Sequence, residues 1–221
     1  MSEAEVLKLA RLLGDAPGRF AYLNDVNPDD LRKFREQVTD VLFDADLHVL
    51  QRMAMATRVI PAPVLAKIGE KVFGPLLCAR IAGLVDVSRG VDVAKRLTPK
   101  FLADVAVELD PRRASRIIAD IPPATVAKVA AELVGREDWI TVGRFVGHLP
   151  DGTVKACLAV IDDPALLEIA YVIDDKSRID HVVGLLPPAR LEGLAENADE
   201  ALLENLVEHL SEANLAKLTR R

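Results

Sequence analysis

The chain has 221 residues, half of them hydrophobic, 28% charged and 4% aromatic, with a formal net charge of −6. Such a length gives one large or two small domains that bury a core without a disulfide or metal, and the balance of apolar and charged residues excludes global disorder. The longest stretch free of Asp, Glu, Lys and Arg is nine residues, 181–189, which excludes a membrane span, and the negative charge argues against wholesale nucleic-acid binding.

The first segment, MSEAEVLKLARLLGD, is charged throughout and lacks the apolar region of a signal peptide. The two cysteines, Cys78 and Cys157, make no disulfide framework, so a reduced, cytoplasmic protein is expected. Arginine outnumbers lysine 18 to 10, a composition that points towards a GC-rich bacterial genome. Charge is uneven along the chain. Residues 149–212 hold 14 acidic and 4 basic side chains, against 20 acidic and 21 basic in residues 1–148, and the tail Lys217, Arg220 and Arg221 is basic.

Residues 3–13 read as one amphipathic helix, and 14–27, with Gly14, Pro17, Gly18 and Asn27, as a loop. Asn27-Pro28-Asp29-Asp30 is a helix start, with a capping side chain, a proline at the first position and two carboxylates at the positive end of the dipole. From there Leu31, Phe34, Val38, Val41, Ala45, Val49 and Met53 keep helical spacing, in one long helix to about Arg58 or in two broken near Asp44. Residues 1–59 are expected to form a helical cap that covers the exposed seam of the first repeat.

From Ile60 the chain repeats. Lines such as LTPKFLADVAVE, LDPRRASRIIAD and IPPATVAKVAAE are twelve residues long, and thirteen such units reach the C-terminus. Apolar residues at the first, sixth and ninth positions mark one helix face, and prolines at positions two to four mark the corners. Thr98-Pro99, Asp110-Pro111 and Asp163-Pro164 place a capping oxygen before a proline, and Pro122-Pro123 and Pro187-Pro188 close the preceding helix. Position ten is mostly Ala or Val, and position eight is mostly charged and expected to face solvent. Helices of eight to ten residues do not persist alone and must stack, so the expectation for 60–221 is an all-α superhelix, or solenoid, of about thirteen short helices.

The repeat is interrupted at 133–136 by Leu-Val-Gly-Arg, followed by Trp139, the single tryptophan. Four residues shift the next helix by about one turn, so a bend is expected there, with Trp139 either filling the mismatch or gripping a partner. Later, IDDKSRIDHVVGL has thirteen residues; shifting its frame by one puts Ile179 and Val182 on the seam and turns Arg178 and His181 outward.

Units such as LPPARLEGLAEN and LDPRRASRIIAD resemble the cytoplasmic N-terminal domain of the MgtE magnesium transporters. The resemblance covers residues 60–221 and implies a right-handed superhelix with Leu-Pro-Pro or Leu-Asp-Pro corners. In those transporters the domain precedes a CBS pair and a membrane domain, and acidic residues at the domain boundary hold Mg²⁺. Without a membrane segment, and with no room for a CBS pair after the repeats, transport is not expected here.

The search for chemistry returns few candidates. Asp162, Asp163, Asp174 and Asp175 form two acidic corners one unit apart, able either to cap helices or to bridge a divalent ion such as Mg²⁺. Arg112, Arg113 and Arg116, with Lys95, Arg96 and Lys100, form the basic concentration, suited to a solvated face or an acidic protein partner; no aromatic interleaves for base stacking. The four histidines show no ligand spacing, the cysteines sit at seam positions, and no phosphate loop, dinucleotide fingerprint or nucleophile elbow occurs. The sequence therefore predicts a non-catalytic helical-repeat module that binds a protein partner through Arg112, Arg113, Arg116 and Trp139. The alternative is a Mg²⁺-responsive regulatory domain. No other cofactor is expected.

Overall fold

The computed structural model describes residues 2–187, 190, 191, 194 and 200–218, and the side chains of 200, 201, 217 and 218 are not among the described parts. Pro188 of the second Pro-Pro corner, the Lys217 side chain, Arg220 and Arg221 lie outside the described residues. Among the described residues the protein is all-helical, with fifteen α-helices and no strand. By backbone contacts the chain divides into two compact units, Met1–Arg52 and Met53–Arg221.

In the first unit α1 (Ser2–Leu13) packs on α2 (Pro28–Asp44). Asn27 caps α2 as the sequence predicts, its Oδ1 accepting from the Asp29 N–H at 2.8 Å. The segment expected as a loop contains a 3₁₀ turn, Pro17–Leu23, because Pro17 supplies a helical φ at its first position. The unit buries Val6, Leu9, Ala10 and Leu31 together with three charged side chains. Glu5 accepts from Lys8 at 2.7 Å and from Arg35 at 3.1 Å, so a single carboxylate holds two buried cations. A separate helix, α3 (Leu47–Ala56), follows a break at Ala45–Asp46, which resolves residues 28–58 into two helices.

In the second unit each line of the repeat within the described residues is one helix, the line 186–197 lying largely outside them. The series runs α4 (Ala62–Ile68), α5 (Gly74–Ala82), α6 (Val87–Ala94), α7 (Pro99–Glu108), α8 (Pro111–Asp120) and α9 (Pro123–Val134). It continues with α10 (Trp139–Phe145), α11 (Asp151–Leu158), α12 (Asp163–Val172), α13 (Arg178–Gly184), α14 (Glu200–Val207) and α15 (Glu212–Leu218). The predicted caps form: Thr98 Oγ1 accepts from Phe101 N–H at 3.3 Å, Asp110 from Arg112 N–H at 3.0 Å, and Asp162 from Ala165 N–H at 3.0 Å.

Between Ala62 and Val172 most helices pack on the second one along, and α9 also meets the adjacent α10. α4 lies on α6, α5 on α7, α6 on α8, α7 on α9, α9 on α11 and α10 on α12. Long-range polar contacts span two or three lines of the repeat. Glu70 receives the Thr98 N–H at 2.8 Å, Asp151 meets His181 at 2.8 Å, and Asp180 receives the Ser211 N–H at 2.7 Å.

The buried face is broader than the sixth and ninth positions. At the seventh position of seven lines the side chain is small or medium and buried: Ala66, Ala79, Val91, Ala103, Ala127, Gly143 and Leu167. They bring paired helices close. At Gly143 an added Cβ meets the backbone of Val172 and Ile173 at 3.1–3.2 Å, where α10 crosses α12. Gly143→Ala is therefore expected to cost about 1–3 kcal/mol by thermal melting, because backbone cannot move aside as a side-chain tip does. Of the predicted seam residues, Val105, Ile117, Ile169, Leu191, Leu194 and Leu206 are buried, whereas Leu102, Val126, Val129, Leu166 and Leu203 are half-buried.

The interruption resolves differently from the expected shift. Leu133 and Val134 extend α9 instead of displacing α10, and the chain then turns through a Schellman motif. Asp138 N–H donates to Leu133 C=O at 3.0 Å and Glu137 N–H to Val134 C=O at 2.9 Å, with Glu137 at φ 56°. Glu137, not Gly135, occupies the left-handed position, where a side chain is strained. Glu137→Gly is expected to raise stability by about 0.5–1 kcal/mol, since the relief exceeds the added freedom of the unfolded chain. An unchanged or lowered midpoint in urea contradicts that geometry.

Candidate functional site

The half-buried seam residues face an apolar cleft. One part, of about 170 Å³, is lined by Leu102, Val126, Val129, Val142 and Leu166 among others. A second part, of about 130 Å³, is lined by Leu65, Phe73, Cys78, Val93 and Leu97 among others. Leu102, Val105, Leu109, Ile118 and Ile121 line both, so the two parts adjoin. The sixth-position side chains Leu102, Val126, Val142 and Leu166 turn into this space and do not fill it, which explains why they are less buried than Ala103, Ala127, Gly143 and Leu167 beside them. Neither part holds a carboxylate, and the polar side chains on the lining are Thr125 in the first and Thr57 and Arg89 in the second.

Both cysteines line the cleft, Cys157 in the first part and Cys78 in the second, and both are free. Burial pushes each thiol up to about 11, so both stay protonated at neutral pH and are poor nucleophiles.

The predicted acidic corners are engaged locally. Asp162 caps α12. The Asp163 carboxylate accepts from the Arg190 Nε at 2.8 Å. Asp175 accepts from the Ser177 N–H at 3.1 Å and hydroxyl at 2.6 Å. Asp174 and Asp175, with Asp110, exert their field on His148, drawing its pKa up against the larger downward pull of burial. No group of three or more His, Cys, Asp or Glu able to hold a metal ion occurs among the described residues.

His148 ends half-buried and with its pKa below the ordinary 6.5. The unfolded chain then takes up a proton first, so stability falls as pH drops below about 6.5 and levels off below the folded pKa. His148→Gln is expected to flatten melting midpoints between pH 7 and 5, and an unchanged slope contradicts this assignment.

The predicted basic site is partly occupied from within. Arg112 makes Nε and Nη2 bonds to Asp110 at 3.1 and 2.8 Å, and Arg113 lies 3.7 Å from the same carboxylate. Arg116 is exposed. Trp139 is half-buried rather than enclosed, packed against the cluster of Ala130, Cys157, Ile161, Ala165 and Ile169. Ile179 is buried and His181 exposed as the frame shift predicts, whereas Val182 is half-buried beside the buried Val183, and Arg178 is half-buried with its guanidinium 3.5 Å from the Leu149 carbonyl.

Sequence reasoning missed a set of cations that close helix C-termini. Arg144 Nη2 donates to Leu109 C=O at 2.7 Å, Arg190 Nη2 to Ile161 C=O at 2.7 Å, and Lys176 Nζ to Ala170 and Tyr171 C=O at 2.8 and 2.7 Å. Arg89 Nη2 donates to Thr57 C=O at 2.7 Å and also reaches Ile60 C=O. These cations satisfy orphan carbonyls at the negative end of a dipole. Arg144 stands at an eighth position, so it is not the solvent-facing charge the repeat suggested. For the three arginines the signal was a cation about thirty residues after a helix end, whereas Lys176 follows its own helix end by five or six.

The first unit carries a different feature. The stripe expected to be a buried capping face is largely open: Phe34 is 51% exposed, Val41 72% and Val49 45%, and Leu42 beside Val41 is 52% exposed. Of that stripe within α2, Leu31 is buried.

No helix of the described residues is long and apolar enough to cross a membrane. Compared with family models, curated proteins and solved structures, the chain matches none.

Proposed function

We propose that this chain is a non-catalytic, cytoplasmic bacterial interaction module that binds an amphipathic helix of a protein partner along α2. The observation that carries the reading is the open stripe Phe34, Val41 and Leu42, which repeats at helical spacing on one face. Single exposed apolar side chains are ordinary, but a run of them on one helix face marks an interaction surface. The acidic residues Asp29, Asp30, Glu36, Asp40 and Asp44 of the same helix fit a partner helix with basic edges.

Residues 60–221 we read as the scaffold. Pairing of alternate twelve-residue helices, with corners capped by Thr, Asp or proline, supports a superhelix of the MgtE N-domain type. It supports binding rather than chemistry, because its two thiols are protonated and its acids serve as caps and arginine partners.

The test uses the full chain as bait beside two variants. Phe34→Glu with Val41→Lys is expected to lose a partner that wild type retains, at an unchanged melting midpoint. Arg112→Ala with Arg116→Ala is expected to keep it. Loss in the arginine variant and retention in the α2 variant moves the partner surface to α8.

A further inference from the structure

The cleft and the arginine at its edge carry an inference that goes beyond the protein-docking reading and does not rest on it. The second part of the cleft meets a polar recess formed by Arg58, Asp86, Ser88, Arg89 and Asp92, and Arg89 belongs to both. The other charged groups of this recess are paired: Arg58 lies 3.2 Å from Asp86, and Asp92 lies 3.1 Å from Arg96 outside it. Arg89 has no carboxylate partner among the described residues. Its Nη2 is committed to backbone carbonyls, while its buried Nε–H has no acceptor. A half-buried guanidinium without a carboxylate partner is costly, and an anionic oxygen arriving at the mouth offsets that cost.

Behind Arg89 the lining is apolar, and it leads through Leu102, Val105 and Ile118 into the larger part of the cleft. A cavity of roughly 150 Å³ admits one benzene-sized molecule, so about 130 and about 170 Å³ in line suit a hydrocarbon of roughly twelve carbons. We propose that this cleft binds a single-chain aliphatic carboxylate, its head group meeting the Arg89 guanidinium at the mouth and its tail lying along the sixth-position side chains.

The experiment titrates dodecanoate, below its micelle concentration, into the full chain by calorimetry and by melting midpoint. Expected are one saturable site, a rise in the midpoint, and binding about tenfold tighter than that of 1-dodecanol, the difference one charge-assisted hydrogen bond gives. Dodecyltrimethylammonium is expected not to bind. Arg89→Met is expected to bring the carboxylate-to-alcohol ratio close to one while alcohol binding persists, which separates lost recognition from lost folding. Leu102→Trp, at the junction of the two parts, is expected to reduce dodecanoate to the affinity of octanoate. Should Arg89→Met fail to fold, the three wild-type titrations and Leu102→Trp still decide. No saturable dodecanoate site, equal affinities for carboxylate and alcohol in wild type, or an unaltered chain-length dependence in Leu102→Trp overturns the proposal.

Discussion

Glu5→Ala is expected to cost about 3–5 kcal/mol and to unfold the first unit ahead of the second. Glu5 is the carboxylate that meets Lys8 at 2.7 Å and Arg35 at 3.1 Å, and all three side chains are buried. Removing it takes a buried anion away from two buried cations in a low-dielectric site, which is far costlier than losing a surface pair. The whole stability of a domain is about 5–15 kcal/mol, so a loss of this size is a large share for a unit of 52 residues. Helicity followed by circular dichroism during a urea titration is expected to show an early step that is missing in wild type. Glu5→Gln, which keeps two hydrogen-bonding atoms but no charge, is expected to fall between. A Glu5→Ala midpoint within 0.5 kcal/mol of wild type shows that the network contributes nothing.

The second large effect distinguishes neighbouring residues. Leu167 stands at a seventh position and is 4% exposed, whereas Leu166, at the sixth, is half-buried on the cleft wall. Leu167→Asp places an unpaired carboxylate where helix meets helix and is expected to abolish cooperative melting at 25 °C. Leu166→Asp turns the same group towards a cleft that admits water, so the variant is expected to stay folded with a lowered midpoint. The reverse order, with Leu166→Asp the unfolded one, returns the buried seam to the sixth position.

Much of the second unit was legible from residue chemistry. Proline fixes φ and lacks an N–H, so Pro99, Pro111 and Pro123 start helices wherever the fold places them, and Thr98 and Asp110 cap them through local geometry. Such local rules carry no information about which helix meets which. The preference for the second helix along arises from contacts some twenty-four residues apart, and its trace in the sequence is the small seventh-position residue, which reads as a weak apolar signal beside Leu or Ile. The α2 stripe misled for the opposite reason. Helical periodicity reports that Phe34 and Val41 share a face, but not whether anything covers it. Arg89 was invisible as a site residue because a lone arginine in a helix has no motif; its significance comes from two carbonyls near Ile60 and an apolar cleft behind it.

The packing of alternate helices is the premise for both the cleft and the scaffold, and methyl-resolved nuclear Overhauser spectroscopy tests it most directly. Leu133 of α9 shares a buried cluster with Ala103 and Ala106 of α7, while an added Cβ at Gly90 of α6 comes within 2.4 Å of the Ile117 δ1 carbon of α8. The expected spectrum therefore links the Leu133 methyls to Ala103 and Ala106, and the Ile117 δ1 methyl to the Gly90 α protons, with no cross-peak between Leu133 and Ile117. A Leu133–Ile117 cross-peak, with those to Ala103 and Ala106 missing, places each helix against the next one in the chain and contradicts the account.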